Sequence, residues 1–368
     1  YPVTAADFSQ IEFSALTHRV LSHPTVASKQ FLITIGDRTV SGLVHRDQMV
    51  GPWQIPVADC AVTHSAIGSI TGEAMAMGER TPLSLVNAGA SARMAVAETV
   101  MNMAGAAIGD LGAIKLSANW MCAAGTEGED ARLYEAVKAV GETFCPALGL
   151  CIPVGKDSMS MKARWTDASG AHEVIGPLSL ICSGFAPVSD VMATRTPYLE
   201  QRSSVLLALD LGQGRMGRSI ACEVTEQAGD QVPDIEPQLL KSCFDLLQSL
   251  HNRGWLLAYH DRSDGGLLTT VAEMLFASRQ GLSAVTPPGV DPVVFWFNEE
   301  IGAVIQVPRE HETAVIEACE AGGVPVFALG IPDDSDRLVV QQAEHTLLSD
   351  SRANLEGSWS AVSLAMAR

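Results

Sequence analysis

Short apolar runs alternate with stretches of helical periodicity along almost the whole chain, and that alternation restricts it to an α/β architecture. Strands are expected at residues 31–35, 55–62, 83–86, 113–118, 150–154 and 178–182, with helices over 91–104 and 130–144. In the second helix Leu133, Val137, Val140 and Phe144 recur on one face. A polar stretch at 186–203, holding Pro187 and Pro197, reads as a domain boundary. Beyond it strands at 205–211, 256–259, 303–307, near Phe327 and at 338–340 alternate with helices at 238–251, 267–278 and 310–321. The expected organisation is a linker and short helix (1–28, helix around 13–21), a β-rich first domain with helices (29–186), a second α/β domain (187–345), and a tail (346–368) that is helical and then loosely ordered.

At 368 residues, and about 150 residues per domain, two domains can each bury a full core. Aromatics are only 5% of the chain, so those cores must be built from Ala, Val, Leu, Ile and Met. No apolar run approaches the roughly 20 residues that cross a bilayer, and no signal peptide is evident, so a soluble cytoplasmic protein with no membrane partner is expected. The eight cysteines are scattered without a CxxC pair and read as buried reduced thiols. A formal net charge of −18 argues against a nucleic-acid partner. An acidic chain that handles phosphates must cluster its cations or recruit a divalent metal.

Four stretches carry the chemistry such a protein would need. In VGKDSMS a strand-like run opens into Gly155, Lys156, Asp157 and Ser158, a loop able to cradle a phosphate or its metal; an ordinary polar turn is the alternative. In PVADCAV, Asp59 interrupts small apolar residues, where an unpaired carboxylate is costly without a cation; a solvated strand end is the alternative. Glu98 and Asn102 lie four apart, on one face of an otherwise apolar helix, and could share a hard cation. In HDRSDGG, directly after an apolar strand and before a helix, Asp261 could bind metal and Ser263 a phosphate oxygen, with Asp264 as N-cap. His64, His260 and Cys60 invite a nucleophile reading, but no GxSxG, HExxH or Walker A pattern supports covalent catalysis.

The segments RDQMVGPWQIPVADCAV, LSANWMCAAG, GEDARLYEAVKAVGE, PVGKDSMSMKARW and AYHDRSDGGLLTTVAEM together resemble the large, single-chain phosphoribosylformylglycinamidine synthases, over about Lys29 to Val340. The resemblance implies a two-domain fold like aminoimidazole ribonucleotide synthase. It also implies a ligase that converts formylglycinamide ribonucleotide to formylglycinamidine ribonucleotide in purine biosynthesis, using ATP and glutamine. In that family two synthase-like halves form an internal pseudo-dimer and a glutaminase domain follows. This chain resembles the second half alone, with a linker-like opening and no chain after Met366 to supply the glutaminase cysteine, histidine and glutamate.

Carried over residue by residue, the resemblance puts Mg2+ on Asp59, Glu98, Asn102 and Asp261, and contacts to an auxiliary ATP or ADP at Lys29, Ala58 and Ser263. Gly155, Lys156 and Ser158 would reach a composite active site held mainly by the first half. Lys156 stands where shorter relatives carry a metal-binding asparagine, so it would neutralise phosphate instead. The expected partners are the first synthase half and the glutaminase domain, with a homodimer when this half is alone, and the isolated half should not complete the reaction. Two other readings stay open: a structural docking module without ligand, and a free-standing homodimeric ATP-dependent synthase.

Overall fold

The computed structural model describes residues 3–39 and 41–368. Its first elements are α1 (Phe13–Leu21), α2 (Gln30–Thr34), β1 (Val44–Arg46), β2 (Ala61–His64), β3 (Gly72–Glu79), α3 (Ala88–Met103), β4 (Lys115–Met121), α4 (Glu129–Lys138), α5 (Cys145–Leu148), β5 (Cys151–Ser158), β6 (Lys162–Asp167), β7 (Gly170–Ile175) and β8 (Ser179–Val188). There follow β9 (Ser204–Asp210), α6 (Ile220–Val224), α7 (Pro237–Asn252), β10 (Ala258–Arg262), α8 (Gly266–Ser278), β11 (Gly281–Val285), α9 (Pro292–Phe297), β12 (Gly302–Pro308), α10 (Glu312–Ala321), β13 (Val326–Gly330), β14 (Pro332–Asp333), β15 (Arg337–Gln342), β16 (His345–Ser351) and α11 (Arg352–Met366). The fold is mixed α/β, and among the described residues no helix is long and apolar enough to cross a membrane.

Six strands of the first part form one sheet in the order β1-β2-β3-β8-β4-β5, antiparallel except for the edge pair β4–β5. One face of this sheet carries α3, whose Ala- and Met-rich surface is buried on nearly every side. Glycine makes that approach possible: a Cβ on Gly78 of β3 would stand 2.3 Å from the Ala95 carbonyl oxygen and 2.5 Å from the Thr99 nitrogen of α3. The second part holds a four-stranded antiparallel sheet, β10-β12-β9-β13, and a smaller sheet, β14-β11-β15-β16. Its central strands are buried on both faces, so their side chains sort by the two-residue period. Val205, Leu207 and Leu209 of β9 join a core shared with α3 and α7, while Leu206 and Ala208 join a second core with α1, α8, α9 and α11.

Several sequence expectations are corrected. Residues 31–35 are not a strand but helix α2, half-exposed to exposed throughout, where apolar content alone misled. Residues 83–86 fall on a 3-10 turn, Thr81–Leu85, with Pro82 at its start withholding a ladder donor. Of the expected strand at 55–62 only Ala61 and Val62 fall in a strand, β2, and the GKDSMS stretch is not a loop up to Ser158. Parallel pairing with β4 continues through Asn119–Lys156 and Met121–Ser158, giving an edge strand whose polar side chains stay in water. Residues 345–351 form β16 rather than helix, and α11 is well packed through Leu355 and Trp359 rather than loose. Seven cysteines are buried; Cys151, on the edge strand, is exposed.

Candidate functional site

Strand β10 ends in the turn that leads through Gly265 and Gly266, both left-handed (φ 83° and 72°), into α8. Glycine at 266 is also sterically required, because a Cβ there would lie 2.7 Å from the Asn298 carbonyl oxygen. This turn places His260 and Asp261 beside Asp59, which arrives from the loop before β2. Asp59 Oδ1 lies 2.7 Å from His260 Nδ1 and accepts the Asp261 backbone N–H at 3.2 Å. Its side chain is only 2% exposed. On the far side of the imidazole, His260 Nε2 lies 2.9 Å from Glu273 Oε2 on α8.

The second oxygens of both aspartates, Asp59 Oδ2 and Asp261 Oδ2, are buried without a hydrogen-bond partner. One atom each from Asp59, His260 and Asp261 falls within a span of 4.8 Å. Two unsatisfied carboxylate oxygens crowded together are costly unless a proton or cation joins them. Burial, reinforced by repulsion from Asp59, pushes the Asp261 carboxyl well above the usual range, whereas the charge on His260 pulls it down. Burial lowers the His260 pKa, but the charges and hydrogen bonds of Asp59 and Glu273 outweigh it and hold the imidazole well above its ordinary value. With both ring nitrogens engaged by carboxylates, the donors left free are hard oxygens. That set fits Mg2+ and not a soft metal.

Glu98 approaches from α3. Its Oε2 accepts the Glu79 backbone N–H at 2.8 Å, and burial pushes its carboxyl up to about 8 against the opposing pull of Arg80, with Asp264 raising it further. Arg80 itself is buried, pairs with Asp264, and donates from Nη2 to Glu299 Oε2 at 2.8 Å. Glu299 Oε1 accepts the backbone N–H groups of Gly265 at 2.8 Å and Ile220 at 2.9 Å. One arginine thus joins the end of β3 to the turn after β10 that carries Asp264. Asp264 is engaged in this pair and does not cap α8, whose N-cap is Gly265 without a side-chain bond.

The structure therefore brings Asp59 and Asp261 together, with Glu98 beside them and close enough to raise the Asp261 pKa. Asn102 lies one turn further along α3, its Nδ2 donating to the Met77 carbonyl oxygen at 2.9 Å. Lys29 is half-buried, with Nζ donating to the carbonyl oxygens of Thr25 at 2.9 Å and Ala27 at 2.5 Å. Burial lowers its pKa against the raising effect of Glu273 and Asp264. Ala58 directly precedes Asp59, with its N–H donated to the Gln48 carbonyl oxygen at 3.3 Å. Ser263 is half-buried in the turn after Asp261.

Gly155, Lys156 and Ser158 sit apart, exposed on β5. Glu79, Ile181, Asn119 and Lys156 form one row across β3, β8, β4 and β5. At about 4.8 Å per strand, the Lys156 backbone is about 14 Å from that of Glu79, at the same end of the sheet. Between the first sheet and the turn after β10 opens a cavity of about 260 Å3, lined by Thr25, Glu79, Arg80, Arg218, Asp264 and Glu299 among others. A second cavity of about 380 Å3 shares Thr81, Pro82, Arg218 and Glu223 with it. Sequence reasoning missed Arg80, Glu273 and Glu299, whose partners lie far along the chain. It also set His260 aside as a nucleophile without seeing it as a partner of Asp59.

Two family models match separate parts of the chain. Residues 28–187 match the FGAR-AT PurM_N-like domain, and residues 204–342 match the C-terminal domain of AIR synthase related proteins. Among solved structures, Thermotoga maritima PurL complexed with FGAR is 10% identical with a TM-score of 0.68, over 93% of this chain and 53% of that one. PurLQS from Thermotoga maritima gives 10% identity and a TM-score of 0.64 over 94% and 52%. The HypE–HypF complex gives 16% identity and a TM-score of 0.55 over 80% and 92%. The chain spans about half the length of the Thermotoga structures it matches. At these identities the likeness speaks for the fold, and the chain has the two-domain fold of the AIR synthase type.

Proposed function

We propose that the chain is the nucleotide-holding second half of a phosphoribosylformylglycinamidine synthase. The activity is ATP- and glutamine-dependent conversion of formylglycinamide ribonucleotide to formylglycinamidine ribonucleotide, in the cytoplasm. The observation that carries the reading is the pair of buried, unpartnered oxygens, Asp59 Oδ2 and Asp261 Oδ2; a cavity lined from both synthase-like domains takes in Asp264, three residues further along the chain. Supporting it, solved PurL structures of the same fold are complexed with FGAR, ATP and ADP.

In this reading Asp59 and Asp261, joined by Glu98 and Asn102, would hold Mg2+, which supplies charge neutralisation for the phosphates of a bound ATP or ADP. The nucleotide would lie past Ala58 and Ser263, with Lys29 near its phosphates. Arg80 prepares the wall by partnering Asp264 and Glu299, so that their charges do not repel the ligand. Gly155, Lys156 and Ser158, about 14 Å away along the sheet end, serve a separate composite site completed by another synthase half. Ammonia comes from a glutaminase domain, and this chain alone does not complete the reaction.

The domains are taken as 29–186 and 187–345. The uncovered face of the first sheet bears exposed Met77 and Phe185. It is the surface proposed to meet the first synthase half, or a second copy of this chain in isolation. The direct test is acid release and mass analysis of nucleotide from the purified protein, followed by calorimetry with Mg-ADP. Bound ADP or tight Mg-ADP binding supports the reading, while a protein that binds neither is a docking module. ATP turnover by the isolated chain would favour a free-standing synthase.

A further inference from the structure

Asp59 is bonded asymmetrically. Its Oδ1 takes both contacts, from His260 Nδ1 at 2.7 Å and from the Asp261 backbone N–H at 3.2 Å, while Oδ2 has none. A carboxylate serving only as an ion-pair partner gains by using both oxygens, so this division needs a cause. It lies in a line of side chains leading away from the cluster. His260 Nε2 lies 2.9 Å from Glu273 Oε2, and Glu273 Oε1 accepts the Trp359 indole N–H at 2.9 Å. Trp359 is 3% exposed and packs its ring on Phe276 at 5.4 Å between centroids. The last helix, α11, thereby fixes Glu273 on α8, Glu273 fixes the plane of His260, and His260 fixes the rotation of Asp59.

We infer that Glu273 and Trp359 are positioning residues of the cation site, acting through His260 to hold Asp59 with its free oxygen toward that of Asp261. The inference rests on the cation-site reading above. It makes α11 part of the site, although the helix contributes no ligand. Partners that orient a ligand in this way are worth 10- to 100-fold in metal affinity, because a carboxylate free to rotate must be ordered at the moment of binding.

The test titrates Mn2+ into the full chain and into the variants Glu273→Gln and Trp359→Phe, by calorimetry, with indole emission followed in parallel. One amide cannot accept from Trp359 and still serve His260 as the carboxylate does. Glu273→Gln should therefore lower Mn2+ affinity about 10- to 100-fold while keeping a single cooperative melting transition. Trp359→Phe removes the indole donor alone. It should weaken Mn2+ and abolish an emission change on Mn2+ addition that the unaltered chain shows and Asp59→Asn does not. If Glu273→Gln fails to fold, Trp359→Phe decides. Wild-type Mn2+ affinity in a folded variant, with the unaltered chain binding Mn2+, overturns the positioning role and leaves the cation site standing. An unaltered chain that binds no Mn2+ contradicts the site itself, and this inference with it.

Discussion

The Tyr259 hydroxyl donates to the Met101 carbonyl oxygen at 2.7 Å, tying the strand that carries Asp261 to the helix that carries Glu98 and Asn102. Both residues are fully buried, and Met101 also accepts the Ala104 N–H, so the bond adds orientation to a carbonyl already satisfied. Tyr259→Phe should cost about 1 kcal/mol in denaturant unfolding, the net worth of one hydrogen bond, and should weaken Mg-ADP in proportion to the loosening of β10 against α3. Unchanged affinity with the stability loss intact would separate the packing of this pair from the site.

Arg80 offers a sharper contrast. Its guanidinium is the partner of Glu299, whose side chain is 1% exposed, and of Asp264. Arg80→Met would leave these carboxylates facing each other in a buried junction, and breaking such a pair costs about 3–5 kcal/mol. The double variant Arg80→Met with Glu299→Gln should recover part of that loss, and equilibrium unfolding in urea measures both.

Proton release accompanies cation binding if Glu98 joins the site. Burial raises its carboxyl from the ordinary 4.5 to about 8, so it is protonated at neutral pH when no cation is bound. A cation must displace that proton, and Mg2+ affinity should climb as pH rises toward about 8 and then level off. The folded state binds this proton more tightly than the unfolded state. The stability of the cation-free chain should therefore fall as pH rises through the window from 4.5 to about 8. Calorimetry in buffers of different ionisation enthalpy counts the protons, and Glu98→Gln should lower that count without abolishing it, because the Asp261 carboxyl is raised as well.

The open sheet face is a second kind of test. Met77 is 58% and Phe185 46% exposed. Met77 pairs with Ser183 and Met75 with Phe185 across β3 and β8, so these side chains share the face away from α3. Such a patch favours self-association, and sedimentation at tens of micromolar, a rough test concentration, should reveal a dimer that Phe185→Asp dissociates. A strict monomer would contradict the proposed use of this face.

The α/β alternation and the two-domain fold are legible in the sequence, while several individual elements are not. Asp59, Glu98 and Asp261 stand out because each lies in or directly beside an apolar element, where a carboxylate is conspicuous in sequence. Strand β3 was invisible by composition, since Gly72-Glu-Ala-Met-Ala-Met-Gly-Glu79 holds no β-branched residue, although its alternating burial is regular. Arg80 and Glu299 are 219 positions apart, and no local pattern announces such a pair. His260 was conspicuous but ambiguous, because its role depends on Glu273 and Trp359 arriving from other elements. The β5 edge was misread as a loop because glycine and charged residues signal a turn unless the neighbouring strand is known to pair with them.

A ligand held as proposed by Glu98 of α3 and Asp261 of β10 would link these elements and should stabilise the whole chain. At about 100 times its dissociation constant, Mg-ADP should contribute about 2.7 kcal/mol to unfolding, read as a rise in melting temperature absent with adenosine alone.

The most direct measurement is the calorimetric titration of Mg-ADP into the chain and into Asp59→Asn. This substitution preserves shape but neutralises the charge beside Asp261 Oδ2, one of the two unpartnered oxygens. Measurable binding that Asp59→Asn abolishes is the predicted result. Equal affinity in the two proteins, or no binding to the unaltered chain, would contradict the assignment of Asp59 and Asp261 as the cation-nucleotide site.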